Sequence, residues 1–91
     1  MIKPPYIDKL FLFVETLPIE RRLDVYYEAI DKLLLIGAFE AVDYMCKRIS
    51  VLIEQDKISI QSLIGILTIT LPAKNKLKNR RLLTDLFYGL I

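Results

Sequence analysis

Three carboxylates in the first half of the sequence have a spacing that could bind a cation. Asp24, Glu28 and Asp31 lie four and three residues apart, so a helix would bring them to one face. Acidic residues on such a face are most often solvated and paired with neighbouring cations, and Lys32 follows Glu28 at the favourable i,i+4 distance. We therefore interpret these carboxylates as a solvated helix face and predict no metal site.

The sequence offers little else for catalysis. It has no histidine, which removes the commonest general base and the commonest metal ligand. Its three glycines, at positions 37, 65 and 89, are too far apart for a phosphate-binding loop. Its single cysteine, Cys46, can form neither an internal disulfide nor a metal cluster, and we expect it to be a small buried apolar residue. We predict that the chain is not an enzyme and has no cofactor.

A basic run over residues 74–81 (KNKLKNRR) is the second group with functional potential. Its five basic side chains are Lys74, Lys76, Lys78, Arg80 and Arg81. They could bind the phosphates of a nucleic acid or an anionic membrane, dock on an acidic protein face, or solvate a loop. No aromatic residue is interleaved in the run, as base stacking on a single strand would require. We favour solvation, and keep nucleic-acid binding through these five residues as the alternative function.

Helical periodicity predicts two central helices, over residues 18–36 and 38–55. Apolar residues recur at steps of three and four in both: Ile19, Leu23, Tyr26, Ile30, Leu33 and Leu34 in the first, and Ala38, Val42, Met45, Ile49, Leu52 and Ile53 in the second. Gly37 separates them, and glycine readily takes the left-handed conformation that closes a helix. With almost no linker, the two helices are expected to form an antiparallel hairpin.

A preceding helix is predicted over residues 6–16. Its main apolar face comprises Ile7, Leu10, Phe11, Val14 and Leu17. Leu12 and Phe13 lie off that face, so the helix is apolar nearly all round. Either the helix is covered on two sides within the domain, which we favour, or Leu12 and Phe13 belong to a partner surface.

Residues 58–73 (ISIQSLIGILTITLPA) contain no charge. The β-branched residues allow a strand over 63–71, but a lone strand would have no pairing partner. The segment is also short and polar for a membrane span. We therefore predict a buried fourth helix that Pro72 ends, with Gly65 marking a close approach to a neighbouring helix. A fifth helix is expected to start within the basic run or just after it, with Asn75 or Asn79 as its N-cap.

Residues 34–49 (LLIGAFEAVDYMCKRI) resemble the turn and second helix of a tetratricopeptide or related helix–turn–helix repeat. Gly37 and Phe39 match the small residue at the turn and the aromatic residue that follows it two positions later. Val42 and Ile49 stand where alanine is usual. The resemblance implies a helical array that binds peptides or proteins.

The apolar fraction is high for a short chain: 54% of 91 residues, with leucine and isoleucine supplying 29. Because a small domain buries a smaller share of its surface, some apolar area should remain exposed and mark an interface. We predict a single all-α domain over residues 1–91, with four or five helices arranged as consecutive antiparallel αα-hairpins, either as a compact bundle or as a short helical-repeat array.

The expected function is protein–protein interaction, as a small subunit, adaptor or inhibitor of a larger assembly, through exposed apolar helix faces. The partner is another protein or a second copy of the chain, as a homo-oligomer. The predicted contact residues are Phe11, Leu12, Phe13, Tyr27, Leu35 and Tyr44. No signal peptide is evident at the N-terminus, so a cytoplasmic location is expected.

Overall fold

The described part of the protein consists of five α-helices and one 3₁₀ helix. We describe it from a computed structural model, in residues 4–55 and 61–89, and this part of the chain contains no strand. The elements are α1 (Pro4–Val14), α2 (Ile19–Leu35), α3 (Phe39–Glu54), α4 (Gln61–Thr70), the 3₁₀ helix (Leu71–Lys76) and α5 (Arg80–Gly89). The all-α prediction is confirmed, and the uncharged segment is helical rather than a strand. Its first residues, 58–60, lie outside the described part.

Helix α3 is the centre of the fold. It packs on α1, α2, α5 and the 3₁₀ helix, and most extensively on α5, while α4 packs on α2 and α5. The predicted apolar stripe of α3 is buried, and Cys46 and Ser50 beside it are buried as well. Burial raises the pKa of the Cys46 thiol to about 12, so the thiol is neutral and unreactive. The prediction that Cys46 is a small core residue is confirmed.

The turn between α2 and α3 forms as the position of Gly37 predicts. Gly37 has φ +73°, and its N–H donates to the Leu34 carbonyl at 3.1 Å. The next N–H, of Ala38, donates to the Leu33 carbonyl at 2.9 Å. This pair of bonds satisfies carbonyls that the end of a helix leaves without partners, so α2 ends sharply and α3 begins two residues after the glycine.

Helix α1 begins two residues earlier than expected, at Pro4, because the first helical turn does not use the N–H groups that proline lacks. Ile7, Phe11 and Val14 are buried. Leu12 and Phe13 are exposed, so the favoured interpretation, burial of α1 on two sides, is wrong. One side packs against α3 and the other is open.

Gly65 lies against the ring of Tyr27, which confirms that α4 approaches α2 at this glycine. A methyl group added here would lie 3.8 Å from Tyr27 Cδ2, which is an ordinary contact. Because alanine has a higher helix propensity than glycine, we expect Gly65→Ala to raise the free energy of unfolding by about 0.5–1 kcal/mol. Urea denaturation followed by circular dichroism measures the change.

Gly37→Ala is the matched comparison for that experiment. A methyl group at Gly37 also meets no close atom, but the residue has a positive φ that L side chains rarely adopt, so the same substitution should destabilise by about 1–2 kcal/mol. Loss of stability in the Gly65 variant would show that the contact between α4 and α2 is tighter than described.

Candidate functional site

A groove opens where α2 ends and the 3₁₀ helix crosses the start of α3. We call it the hairpin-end groove, and its volume is about 450 Å³. Its apolar lining consists of Leu34, Leu35, Phe39, Ile69, Pro72 and Ala73, and its polar lining of Asp31, Asn75 and Lys76. The groove is thus mainly apolar with charges of both signs at its rim, which is the usual composition of a binding site.

A second depression meets the hairpin-end groove at Phe39. It has a volume of about 580 Å³, is lined by residues 36–41 and Lys76, and therefore shares Phe39 and Lys76 with the groove. The Lys76 ammonium lies 4.4 Å from the centroid of the Phe39 ring, in a cation–π contact. Lys76 makes no ion pair within the described residues, so its charge is available at the junction of the two depressions.

The end of α2 supplies the most exposed apolar side chains at this site. Leu35 is 80% exposed and Ile36 is 69% exposed. Both residues lie where α2 ends, directly before the Gly37 turn. Single exposed leucines are common, but Leu35 also lines the groove. Its side chain therefore extends the apolar surface of the groove.

The prediction that Phe11 contacts a partner is wrong. Phe11 is only 1% exposed, its ring lies 4.7 Å from that of Tyr26, and the Arg48 guanidinium lies 4.8 Å above it. The same interior raises the pKa of Tyr26 to about 12, chiefly by desolvation. Phe11 therefore belongs to the core between α1, α2 and α3, and no partner can reach it.

Tyr44, on α3, forms a hydrogen bond that links α3 to α1. Its hydroxyl donates to Asp8 Oδ1 at 2.6 Å, and Arg48 donates to the same carboxylate oxygen and to the Tyr44 hydroxyl. The hydrogen bond to Tyr44 and the negative charge of Asp8 raise the pKa of Arg48. The Tyr44 hydroxyl therefore positions α1 on α3, and the predicted partner contact of Tyr44 stays a prediction.

The other predicted contact residues are exposed but lie apart from the groove. Leu12 and Phe13 are on α1, and Tyr27 is on α2 beside Gly65. Of the six predicted residues, Leu35 alone lines the hairpin-end groove. The sequence did not indicate other groove residues, including Ile69 and Ala73. They reach the groove because α4 packs on α2 and the 3₁₀ helix packs on α3, which no periodic pattern records.

The basic run does not form one patch. Lys74, Lys76 and Lys78 are exposed. In contrast, Arg80 is partly buried and donates to Thr70 Oγ1 and to the Leu67 carbonyl, both at 2.8 Å. It therefore ties the start of α5 to the end of α4, and its contact with an external anion stays a prediction.

Arg81 lies 3.8 Å from Asp85 in an exposed i,i+4 pair, which contributes little to stability. Its charge is partly offset by that carboxylate. The exposed charges of the basic run are therefore Arg81 and three lysines on or beside the 3₁₀ helix.

A second polar joint fixes the segment before α5. The backbone N–H of Asn79 donates to Asp43 Oδ1 at 2.6 Å, and its side-chain amide donates to Asp43 Oδ2 at 3.2 Å. Asn79 does precede α5 directly, as predicted for a cap, but its amide group is committed to α3. The joint holds the chain leaving the 3₁₀ helix against the middle of α3.

The carboxylates of α2 have a simple arrangement. Glu28 pairs with Lys32 at 3.0 Å, and both side chains are exposed, as the i,i+4 spacing predicts. Within residues 4–55 and 61–89, no three Cys, Asp or Glu side chains converge as metal ligands. No helix in the same residues combines the length and the apolar character needed to cross a membrane.

Comparison of the chain with protein-family models, with curated proteins and with solved structures gives no match. The resemblance of residues 34–49 to tetratricopeptide-like repeats stays a prediction.

Proposed function

We propose that this chain is a non-catalytic protein-interaction module that binds an amphipathic helix of a partner protein in the hairpin-end groove. The observation that carries the proposal is the groove itself: an open, mainly apolar cleft that continues onto the exposed Leu35. Apolar residues at i, i+3 or i+4, and i+7 of a partner helix are suited to such a cleft. Burying them removes apolar surface from water on both proteins.

The charged rim gives the bound helix a direction. Asp31 lies on α2 and Lys76 on the 3₁₀ helix, and both line the groove. A partner helix that places a basic residue beside Asp31 and an acidic residue beside Lys76 is favoured over the reversed orientation, in which like charges meet. The rim therefore sets orientation and specificity, while the apolar lining supplies most of the affinity.

Peptides selected from a displayed library of random helices provide a direct test. We expect the selected peptides to share apolar residues at helical spacing. We expect Leu35→Asp to weaken their binding at least about tenfold, or about 1.4 kcal/mol. Leu12→Asp is the matched control: Leu12 is an exposed leucine on α1, away from the groove, and its replacement should leave the affinity unchanged. Fluorescence anisotropy measures both values.

The alternative, nucleic-acid binding through the basic run, draws on the exposed Lys74, Lys76, Lys78 and Arg81, with Arg80 partly buried beside them. Binding through phosphate contacts falls steeply as salt is raised, whereas binding in an apolar groove changes little. Equal peptide affinities of the Leu35→Asp and Leu12→Asp variants would show that the peptides do not bind in the hairpin-end groove. Tight, salt-sensitive binding of an oligonucleotide that is lost in a triple lysine-to-alanine variant would establish the alternative.

Two further expectations belong to the same proposal. A reducing compartment such as the cytoplasm suits a chain whose one thiol, Cys46, is free and buried. A role as a small subunit, adaptor or inhibitor follows if the partner helix belongs to a larger assembly, and the tetratricopeptide-like resemblance of residues 34–49 is consistent with peptide binding.

A further inference from the structure

The exposed face of α4 differs from every other helical surface of the described chain. Helix α4 contains no charged residue, whereas α1, α2, α3 and α5 all carry charges. Yet α4 is not enclosed: Ile64 is 55% exposed, and Leu71, which directly follows the helix, is 51% exposed. Surface helices normally present charged residues to water, so this face has the composition of an interface.

Three residues form a stripe along this face: Ile64, Thr68 and Leu71, at i, i+4 and i+7. Thr68 is exposed, and its hydroxyl donates to the Ile64 carbonyl at 2.8 Å. Because that proton is used within the helix, covering Thr68 does not leave a donor without an acceptor. The whole stripe can therefore lose its water at little polar cost.

A shallow depression of about 280 Å³ adjoins the stripe. It is lined by Ile64, Leu67, Thr68, Leu71, Arg80 and Phe87. Arg80 is the one charged residue in this lining, and its guanidinium donates to Thr70 and to the Leu67 carbonyl at the end of α4. That end of a helix carries partial negative charge, which offsets the cation. The face thus has exposed apolar side chains beside a depression whose lining is also mainly apolar.

We propose that this face binds a second copy of the chain, in a symmetric dimer whose two-fold axis passes beside Thr68. The midpoint between positions 64 and 71 falls next to Thr68. A two-fold axis there makes the two α4 helices antiparallel and packs Ile64 of one copy against Leu71 of the other. Each copy then supplies the same projections and the same depression, as a closed isologous interface requires.

The lack of charge is the reason for choosing a second copy as the occupant. A face that meets its own copy across a two-fold axis brings like residues together, so any charge near the axis would meet the same charge. The stripe on α4 has none, and the one charge of the adjoining depression, on Arg80, is bonded to Thr70 and to the Leu67 carbonyl of its own copy. The charged rim of the hairpin-end groove lacks this property and suits an unlike partner, so the dimer face is independent of the proposed function.

Light scattering on a size-exclusion column, over about 1 μM to 1 mM protein, tests the dimer. We expect the mass to rise from 10.6 kDa to twice that value, at low and at high salt. We expect Thr68→Glu to remain monomeric, because two glutamates would meet at the axis, while its higher helix propensity preserves the fold. Val51→Glu, at an exposed β-branched residue of α3, is the matched control and should dimerise normally.

Thr68→Cys tests the position of the axis separately. A disulfide requires Cα atoms about 4.4–6.8 Å apart, so mild oxidation with diamide should link two copies through position 68 but not through Val51→Cys. Cys46 is fully buried and does not interfere. A wild-type chain that stays monomeric throughout the range, a dimeric Thr68→Glu variant, or equal cross-linking of both cysteine variants would each overturn the proposal.

Discussion

Phe11→Ala is expected to lower the free energy of unfolding by about 3–5 kcal/mol, the usual cost of emptying a buried phenylalanine site. The ring is 1% exposed, is stacked at 4.7 Å on Tyr26 and is covered by Arg48 at 4.8 Å. Its neighbours Tyr26 and Arg48 come from α2 and α3, so the space that the ring leaves cannot close by moving one helix alone. A small domain has about 5–15 kcal/mol of stability in total, so a large part of it would be lost. Urea denaturation followed by circular dichroism measures the change.

Leu12→Ala is the control at the adjacent position. Leu12 is 65% exposed, so its truncation should change stability by less than about 0.5 kcal/mol. Together the two variants show which side of α1 packs inward. Equal effects at positions 11 and 12 would mean that the orientation of α1 described here is incorrect.

Arg80→Ala is expected to cost about 2–3 kcal/mol, because two hydrogen bonds from a charged donor are lost. The guanidinium bonds to Thr70 Oγ1 and to the Leu67 carbonyl, and Thr70 is fully buried. Truncation also removes the stem that packs between α4 and α5. Thermal unfolding monitored by calorimetry should show the transition at a clearly lower temperature than in the wild type.

Two further substitutions separate geometry from charge at this joint. Arg80→Lys keeps the charge but loses the planar arrangement of donors that reaches both acceptors, so it should restore only part of the stability. Lys78→Ala removes an exposed charge from the same basic run and should be nearly neutral. If Arg80→Ala is as stable as Lys78→Ala, the two hydrogen bonds of Arg80 do not stabilise the fold, and Arg80 belongs with the solvated basic residues that the sequence indicated.

The helices themselves were predictable because their signals are local. Apolar spacing gave α2 and α3, and Gly37 gave the turn between them, since both depend on residues within a few positions. The fourth helix was less certain, because its β-branched residues also suit a strand. Its lack of charge led to the prediction of a buried helix. Leu63 and Ile66 are buried, but Ile64 and Leu71 are exposed, so the prediction is right for one side of the helix only.

The candidate site was harder to predict because it joins distant parts of the sequence. Leu35 and Phe39 come from the end of α2 and the start of α3, while Ile69 and Pro72 come from the end of α4 and the 3₁₀ helix. Helical periodicity cannot specify which faces meet across such a distance.

The sequence does not show which side of α1 is buried or which hydrogen bonds Arg80 makes, for separate reasons. An apolar run such as LFLFV gives no contrast between its faces, which led to the error at Phe11. Arg80 was placed in the basic cluster because sequence alone does not distinguish a solvated arginine from one that bonds to a helix end.

The most direct test of groove binding is a nitrogen–proton NMR titration of the labelled chain with a selected helical peptide. The titration should be run at low and at high salt. We expect the largest amide shifts in residues 34–39 and 69–76, around the hairpin-end groove, with little change in affinity between the two salts. Shifts centred on residues 78–81, or binding that disappears at high salt, would contradict the proposal and favour an electrostatic partner of the basic run.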